Sequence, residues 1–272
     1  MREKILGVNV DFVSRQEAVK KISSWVEYSE KQPLKQVVTA YSEFLVRANY
    51  DKRFKEIINK ADLVTPDGIS VLAAGHYLKE SKNRNLIFKL LIGFGTGLDI
   101  LSGSLGDTVT GVWLFEKLSE LAGANGWKVF LLGSWGDTAE RTATMLLKRF
   151  PGIIVDSDPG EKKVGSNEER NKEVIKKINE FQPDILCVTY SPVVQEKWIE
   201  ENRDKLKAKV AIGLGGTFNE FLGEFKKAPA WMEKMGLKWL WRLIQEPKRW
   251  RRILNAVVVF PWLVFLESFK QE

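Results

Sequence analysis

The sequence predicts an α/β protein: a parallel sheet covered by helices on both faces. Three observations carry that reading. From residue 108 onward, apolar runs alternate with helical patterns of 10–15 residues. The runs are continuously apolar rather than strictly alternating, as in strands buried on both faces. At 272 residues with 44% hydrophobic and 28% charged side chains, the chain is long enough to bury a large core.

The elements follow in order. ILGVNV at 5–10 reads as a first strand. Ser14 then opens a helix, and Glu17 three residues on makes a capping box. QVVTA at 36–40 is a buried strand, followed by a helix over about 42–49 and another, FKEIINKA, over 54–61. A short apolar run ends at Thr65; Pro66 stops it, Gly68 frees the turn, and apolar residues resume from Ile69 as a helix. Asp67 thus stands at a strand-to-helix turn, where α/β proteins carry their chemistry. The plain alternative for Asp67 is a helix N-cap.

Residues 80–108 are the least regular. The apolar stretch there holds five glycines and reads as a loop or lid. Its GFGTG lacks the third glycine and the preceding strand of a dinucleotide fingerprint. Beyond it come a helix over 112–123, strand 128–134, a helix from 136, strand 152–158, a helix over 167–181, strand 184–190, a helix from Val194 and strand 209–216. Strand C-terminal ends then gather Thr39, Asp67, Gly133, Ser134, Ser191, Gly215 and Gly216 at one edge. Glycines there let backbone N–H groups approach phosphate.

The rest narrows the function. A single cysteine, Cys187 in an apolar run, excludes a disulfide framework and a cysteine zinc site; the single histidine, His76, reads as an ordinary helix residue. Asp156-Ser157-Asp158 has the spacing of a metal-binding DxD, a weak signal beside Pro159-Gly160. The N-terminus has no secretory h-region, which implies a cytoplasmic location. Residues 224–252 hold nine Lys/Arg against three Glu, and the segment after Gly216 holds five of the ten tryptophans. Residues 253–266 are nearly all apolar but too few to span a bilayer. Aromatics and arginines beside such a helix suggest one lying in the interface of an anionic membrane, the alternative being plain packing on the core. Nucleic acid is not expected as a partner, because the basic segment has no reading module.

These residues resemble the WecG/TagA/CpsF family of bacterial glycosyltransferases nearly end to end. ILGVNVDFVSRQEAVKKI, ADLVTPDGI, QPDIL, QEKWIEENRDKL, AIGLGGTF and KKAPAWMEKMGLKWLWRLIQEPKRWRR carry the likeness. The resemblance implies a Rossmann-like core over 1–223 with a C-terminal helical, basic, membrane-associating appendage over 224–272. It implies an inverting, metal-independent transfer of N-acetylmannosamine from a UDP-sugar donor to a polyprenyl-diphosphate-linked acceptor. The products would feed teichoic acid or other surface polysaccharide, and the enzyme would sit peripherally on the inner face of the cell membrane. It implies Asp67 as catalytic base, and Thr39, Gln195, Arg242, Arg249 and Arg252 as substrate-binding positions, to which the strand-end reading adds Gly133 and Gly215 and the family's early motif adds the position of Tyr41; no cofactor is expected, and homo-oligomers are compatible with it. Several positions depart from the family pattern. Tyr41 stands where the family has Asn, Trp113 where it has Asp, and Asn219 where it has Asp. The G-x-P-x-Q turn appears as YSPVVQ over 190–195, one residue longer. Those departures leave a different donor sugar, or a non-catalytic accessory member, as the alternative.

Overall fold

The structure, a computed structural model, describes residues 2–28, 32–134, 136–224, 228–229, 232, 235 and 237–270. Its centre is a six-stranded sheet of β3 (Lys35–Ala40), β4 (Leu63–Pro66), β5 (Lys128–Gly133), β6 (Ile154–Asp158), β7 (Ile185–Thr189) and β8 (Val210–Gly213). The spatial order is β4-β3-β8-β7-β5-β6, and every pairing is parallel. All six C-terminal ends therefore share one edge. The α/β reading holds, including helices on both faces.

One face is covered by α1 (Arg15–Glu27), α6 (Gly111–Asn125), α7 (Thr138–Arg149) and α10 (Thr217–Phe221). Phe115 of α6 meets Phe218 and Phe221 of α10 at ring distances of 5.4 and 5.2 Å. The other face carries α2 (Ser42–Tyr50), α3 (Lys52–Lys60), α4 (Ile69–Ser81), α8 (Glu168–Phe181) and α9 (Val194–Asn202). Phe44 and Phe54 are fully buried there, each contributing about 1.5–3 kcal/mol of transfer free energy. Cys187 lies buried in β7, and burial raises its thiol pKa, so it is an inert core residue. The expected capping box is present: Ser14 Oγ accepts from Glu17 N, and Ser14 N donates to Glu17 Oε2.

Two local expectations are corrected. The stretch 5–10 is not one strand but the turn of an antiparallel hairpin, β1 (Arg2–Ile5) and β2 (Val8–Asp11). Leu6 and Gly7 both take positive φ, so the chain reverses inside what reads as a continuous apolar run. The hairpin guards the sheet. Asp11, clasped by the Arg2 guanidinium at 2.8 and 2.9 Å, accepts the outward N–H of Val64 at 2.8 Å. A donor on the open edge of β4 is thereby satisfied.

The stretch 80–108 is not a loop or lid. It contains α5 (Leu86–Ser102), a 17-residue helix capped by the Asn85 side chain, which accepts from Phe88 N, and ended by Gly103 in the left-handed conformation. The glycines GFGTG lie inside this helix, so they form no phosphate-binding turn.

After α10 the chain forms α11 (Lys238–Gln245), a 3-10 turn begun by Pro247, α12 (Trp250–Leu254), a π-helical turn over Asn255–Val259, and α13 (Phe260–Glu267). Pro261 has no N–H to bond four residues back, and the helix is widened just before it: Phe260 N donates to Asn255 O. Phe260 and Val264 are buried with the hairpin, α2 and α4. Glu267 accepts from Leu6 N at 2.7 Å, tying the last helix to the hairpin turn.

The hairpin also locks against α4 through shape. A Cβ on Gly75 would fall inside the Phe12 ring. Gly75→Ala is expected to cost about 2 kcal/mol in urea unfolding. In a Phe12→Leu background most of that cost should vanish, and an equal cost in both backgrounds would contradict the contact.

Candidate active site

The site forms where three parallel strands end side by side. Ala40 of β3 pairs with Pro66 of β4, and Asp67 N donates to Ala40 O at 2.8 Å. Val38 of β3 pairs with Gly213 of β8. The residues just beyond, Tyr41, Asp67 and Leu214–Gly215, are therefore neighbours on one edge.

Asp67 is half-buried. It is not the cap of the helix that follows it: Gly68 occupies the N-cap of α4 with no side-chain hydrogen bond. Instead Asp67 Oδ2 accepts the N–H of Gly111, the first residue of α6, at 3.0 Å. A helix N-terminus favours a carboxylate there. Gly111 is needed for this approach. A Cβ at that position would lie 3.2 Å from Thr217 Oγ1, 3.5 Å from Leu214 and 3.6 Å from Asp67 Oδ2. The turn after β4 and the segment 214–217 after β8 thus converge on this one glycine. Sequence reasoning missed Gly111 as a site residue, although it lies two residues before Trp113, one of the positions that depart from the family pattern.

Thr39 is buried, and its hydroxyl donates to Gly213 O at 3.2 Å, bracing β3 to β8. Gln195 is buried as well: Oε1 accepts Gly215 N at 2.9 Å and Nε2 donates to Glu196 Oε1 at 2.6 Å. Gln195 therefore sets the pose of the glycine turn after β8. Gly213 makes room for this pair, since a Cβ there would overlap Glu196 Oε1 and stand 2.6 Å from Gln195 Nε2. Glu196 is a second residue that sequence reasoning passed over. Its Oε2 accepts Val193 N at 2.9 Å. Val193 has φ +76, a conformation unfavourable for a β-branched residue. The one-residue-longer turn over 190–195 is accommodated in this way.

Gly133 ends β5 with φ +101. Its Cα faces the backbone of Thr189, where a Cβ would be 3.0 Å from the carbonyl carbon, so no other residue fits. It lies two strands from β8, across β7, at the far side of the same edge.

Tyr41 and Arg252 meet. Arg252 of α12 donates through Nε to Glu43 Oε2 at 2.7 Å and through Nη2 to Tyr41 Oη at 3.2 Å. The other oxygen of Glu43 accepts from Arg47 Nε and Nη2 at 3.1 and 3.0 Å. Glu43 is only 3% exposed, and such a buried charge is tolerated because arginines pair it on both sides. Burial and the Glu43 carboxylate hold the Tyr41 phenol far above its ordinary range, so it stays protonated. The C-terminal helices are thereby fastened onto the strand-end edge beside Asp67. Sequence reasoning placed Arg252 here but not Glu43, its partner. The side chains of Arg242 and Arg249 lie outside the described residues. Trp113 stacks beneath the Arg15 guanidinium at 5.0 Å from its ring centroid. Asn219 donates to Glu224.

The DxD pair is engaged elsewhere. Asp158 pairs with Arg170 and accepts Gly160 N at 2.7 Å, while Asp156 lies 3.4 Å from Lys177. Both cations come from α8. Among the described residues no group of three or more His, Cys, Asp or Glu side chains is arranged to hold a metal ion.

With this geometry in view, two comparisons bear on the chain. The model of the glycosyl transferase WecG/TagA/CpsF family matches it over residues 3–92 and 89–272. A Staphylococcus aureus (strain MRSA252) N-acetylglucosaminyldiphosphoundecaprenol N-acetyl-beta-D-mannosaminyltransferase is 27% identical over 262 residues, covering 96% of this chain and 91% of the relative. The same-named protein of S. aureus strain MW2 is 26% identical over the same shares.

Burial pushes the Glu196 carboxyl up to about 7. In an unfolded chain a glutamate titrates near 4.3. Between those values the folded state holds a proton that the unfolded state releases. The stability this group contributes is therefore full at low pH, falls as pH rises through that window and is lost above about 7, an effect of about 3 kcal/mol. Relative to Glu196→Gln, the wild type should lose about that much between pH 4.5 and 7.5 in urea unfolding. Parallel pH profiles would contradict it.

Proposed function

The chain belongs to the WecG/TagA/CpsF family of glycosyl transferases, and from that premise we propose that it transfers N-acetylmannosamine from its UDP donor to the N-acetylglucosamine of a diphosphoundecaprenol-linked acceptor. The observation that carries this reading is Asp67, held half-buried at the junction of three strand ends and the α6 N-terminus. A sugar 4-hydroxyl is a weak nucleophile. Asp67 takes its proton as the oxygen attacks the anomeric carbon and the bond to UDP breaks. Direct displacement inverts that centre. Charge grows on the leaving diphosphate, and Arg242, Arg249 and Arg252 offset it; a planar guanidinium grips phosphate oxygens with two parallel N–H groups. That role supplies without a metal what a divalent cation supplies in other transferases.

In this reading the turns after β5 and β8, with Gly133 and Gly215, border the nucleotide, their glycines leaving room for it beside the strand ends. Thr39 and Gln195 keep the end of β8 and the turn after it in place. The 1–223 portion is the catalytic core, and 224–272 is an appendage that meets the inner, anionic face of the membrane where the lipid-linked acceptor resides. No described helix is long and apolar enough to cross a membrane, so contact is by lying on it.

A different UDP-sugar is the second reading. Tyr41 and Trp113 put bulk where the family carries small polar residues, and Arg252 and Arg15 hold both rings in place. A panel of UDP-sugars discriminates; no release of UDP from any of them would point to an accessory role.

Asp67→Asn keeps an oxygen for Gly111 N–H and removes the base. Turnover is expected to fall by about 10²–10⁴-fold while UDP affinity, read by calorimetry, changes less than about twofold. Turnover in the wild type should survive EDTA. An Asp67→Asn protein with near-wild-type turnover would overturn the assignment of the base.

A further inference from the structure

Helix α5 is built inside out. The residues it buries most deeply against the protein are Lys89 and Thr96, 0% and 7% exposed, with Gly93 lying against Tyr77 and the half-buried Ile92 the apolar residue that packs on the core beside them. The residues it turns outward are Ile87, Phe88, Leu90, Leu91, Phe94 and Leu98, with Ile87 68% and Phe94 71% exposed. A surface helix in water shows the reverse pattern, apolar stripe in and polar face out. The buried Lys89 ammonium is satisfied: it donates to Ser268 O at 2.8 Å and lies 4.0 Å over the Phe269 ring. This inverted arrangement fits a helix whose outer medium is itself apolar.

We propose that α5 is a membrane-inserting element that lies in the interface of an anionic phospholipid bilayer and, with the C-terminal helices, forms one continuous lipid-facing surface. Continuity is direct. From Lys89 the contacts run to Phe269, then Phe265 at 5.2 Å, then Trp262 at 5.8 Å. Trp262 is 59% exposed, and Trp250 and Leu266 are exposed on the same helical arm. Charge favours lipid over a second protein copy. The acids of α5 and α13 are turned to protein partners, Asp99 3.8 Å from His76 and Glu267 accepting from Leu6 N, whereas Lys82, Arg84, Lys248, Arg251 and Lys270 are exposed around these segments. Cations beside an apolar, aromatic face match the headgroup layer of an anionic membrane. At 17 residues, about 25 Å, α5 is too short to span a bilayer but long enough to lie along one. The inference deepens the reading of a lipid-linked acceptor. Two sites of contact, one on α5 and one on the C-terminal helices, would fix the tilt of the strand-end edge toward the membrane, where one contact would leave it free to rotate.

The test uses the full chain and vesicles of phosphatidylglycerol and phosphatidylcholine, without donor or acceptor, so that its outcome is independent of turnover. Sedimentation with vesicles should weaken by about tenfold or more in the double variant Leu91→Glu, Phe94→Glu, while its thermal unfolding stays that of the wild type. Because Cys187 is buried, Phe94→Cys provides a single exposed thiol. An environment-sensitive dye there should shift to the blue with vesicles and be quenched by lipids labelled in the acyl chain. Unchanged vesicle binding of the double variant, or a dye at position 94 that stays in water, would overturn the proposal. So would a wild-type dimer that Leu91→Glu, Phe94→Glu converts to monomer with vesicle binding intact, since α5 would then be covered by a second copy. Failure of Asp67→Asn to abolish turnover would leave the vesicle result standing.

Discussion

Parallel pairing of β3 with β4 on one side and β8 on the other is the constraint on which the rest of the site depends. It brings residues from positions 39–41, 67 and 213–215 to one edge with their backbones in fixed register. Each helix that leaves the edge then has a defined direction: α2 and α4 to one face, α10 to the other. Gly111 closes the arrangement from a fourth segment by donating to Asp67 and standing against Thr217. A carboxylate held by a helix N-terminus is pre-oriented rather than free to rotate. Thr39 and Gln195 serve the same end, spending their hydrogen bonds on the glycines of β8.

The C-terminal arm meets this edge through charge. Glu43 is nearly fully buried between Arg47 and Arg252, and Tyr41 accepts a further guanidinium N–H of Arg252. Losing one arginine would leave a buried carboxylate under-compensated, so the arm and α2 depend on each other. Arg252 is also one of the three arginines proposed to hold the leaving diphosphate. In this pose Nε and one N–H of Nη2 are engaged by Glu43 and Tyr41, so in the proposed role a diphosphate meets the other N–H groups of the fork.

How much of this was legible before the structure depends on the kind of signal. Buried parallel strands announce themselves as apolar runs, and β3 to β8 lie where those runs lie. The Ser14–Glu17 box and the Pro66-Asp67-Gly68 break are local chemistry, readable without tertiary knowledge. The hairpin was hidden because Leu6-Gly7 interrupts an apolar run without a polar turn residue. Helix α5 was hidden because its apolar residues face outward as well as along its length, so no stripe of period 3.6 stands out, and Gly93, Gly95 and Gly97 read as loop. Glu43, Gly111 and Glu196 escaped for another reason. Their meaning lies in partners 209, 44 and 17 residues away, and only folding brings those together.

The most direct measurement is release of UDP from UDP-N-acetylmannosamine by the wild-type chain in EDTA, with and without a diphosphate-linked N-acetylglucosaminyl lipid. The account predicts release that depends on the acceptor, forms a disaccharide-lipid product and inverts the anomeric centre. Binding of UDP with no acceptor-dependent release, or release that needs a divalent cation, would contradict it.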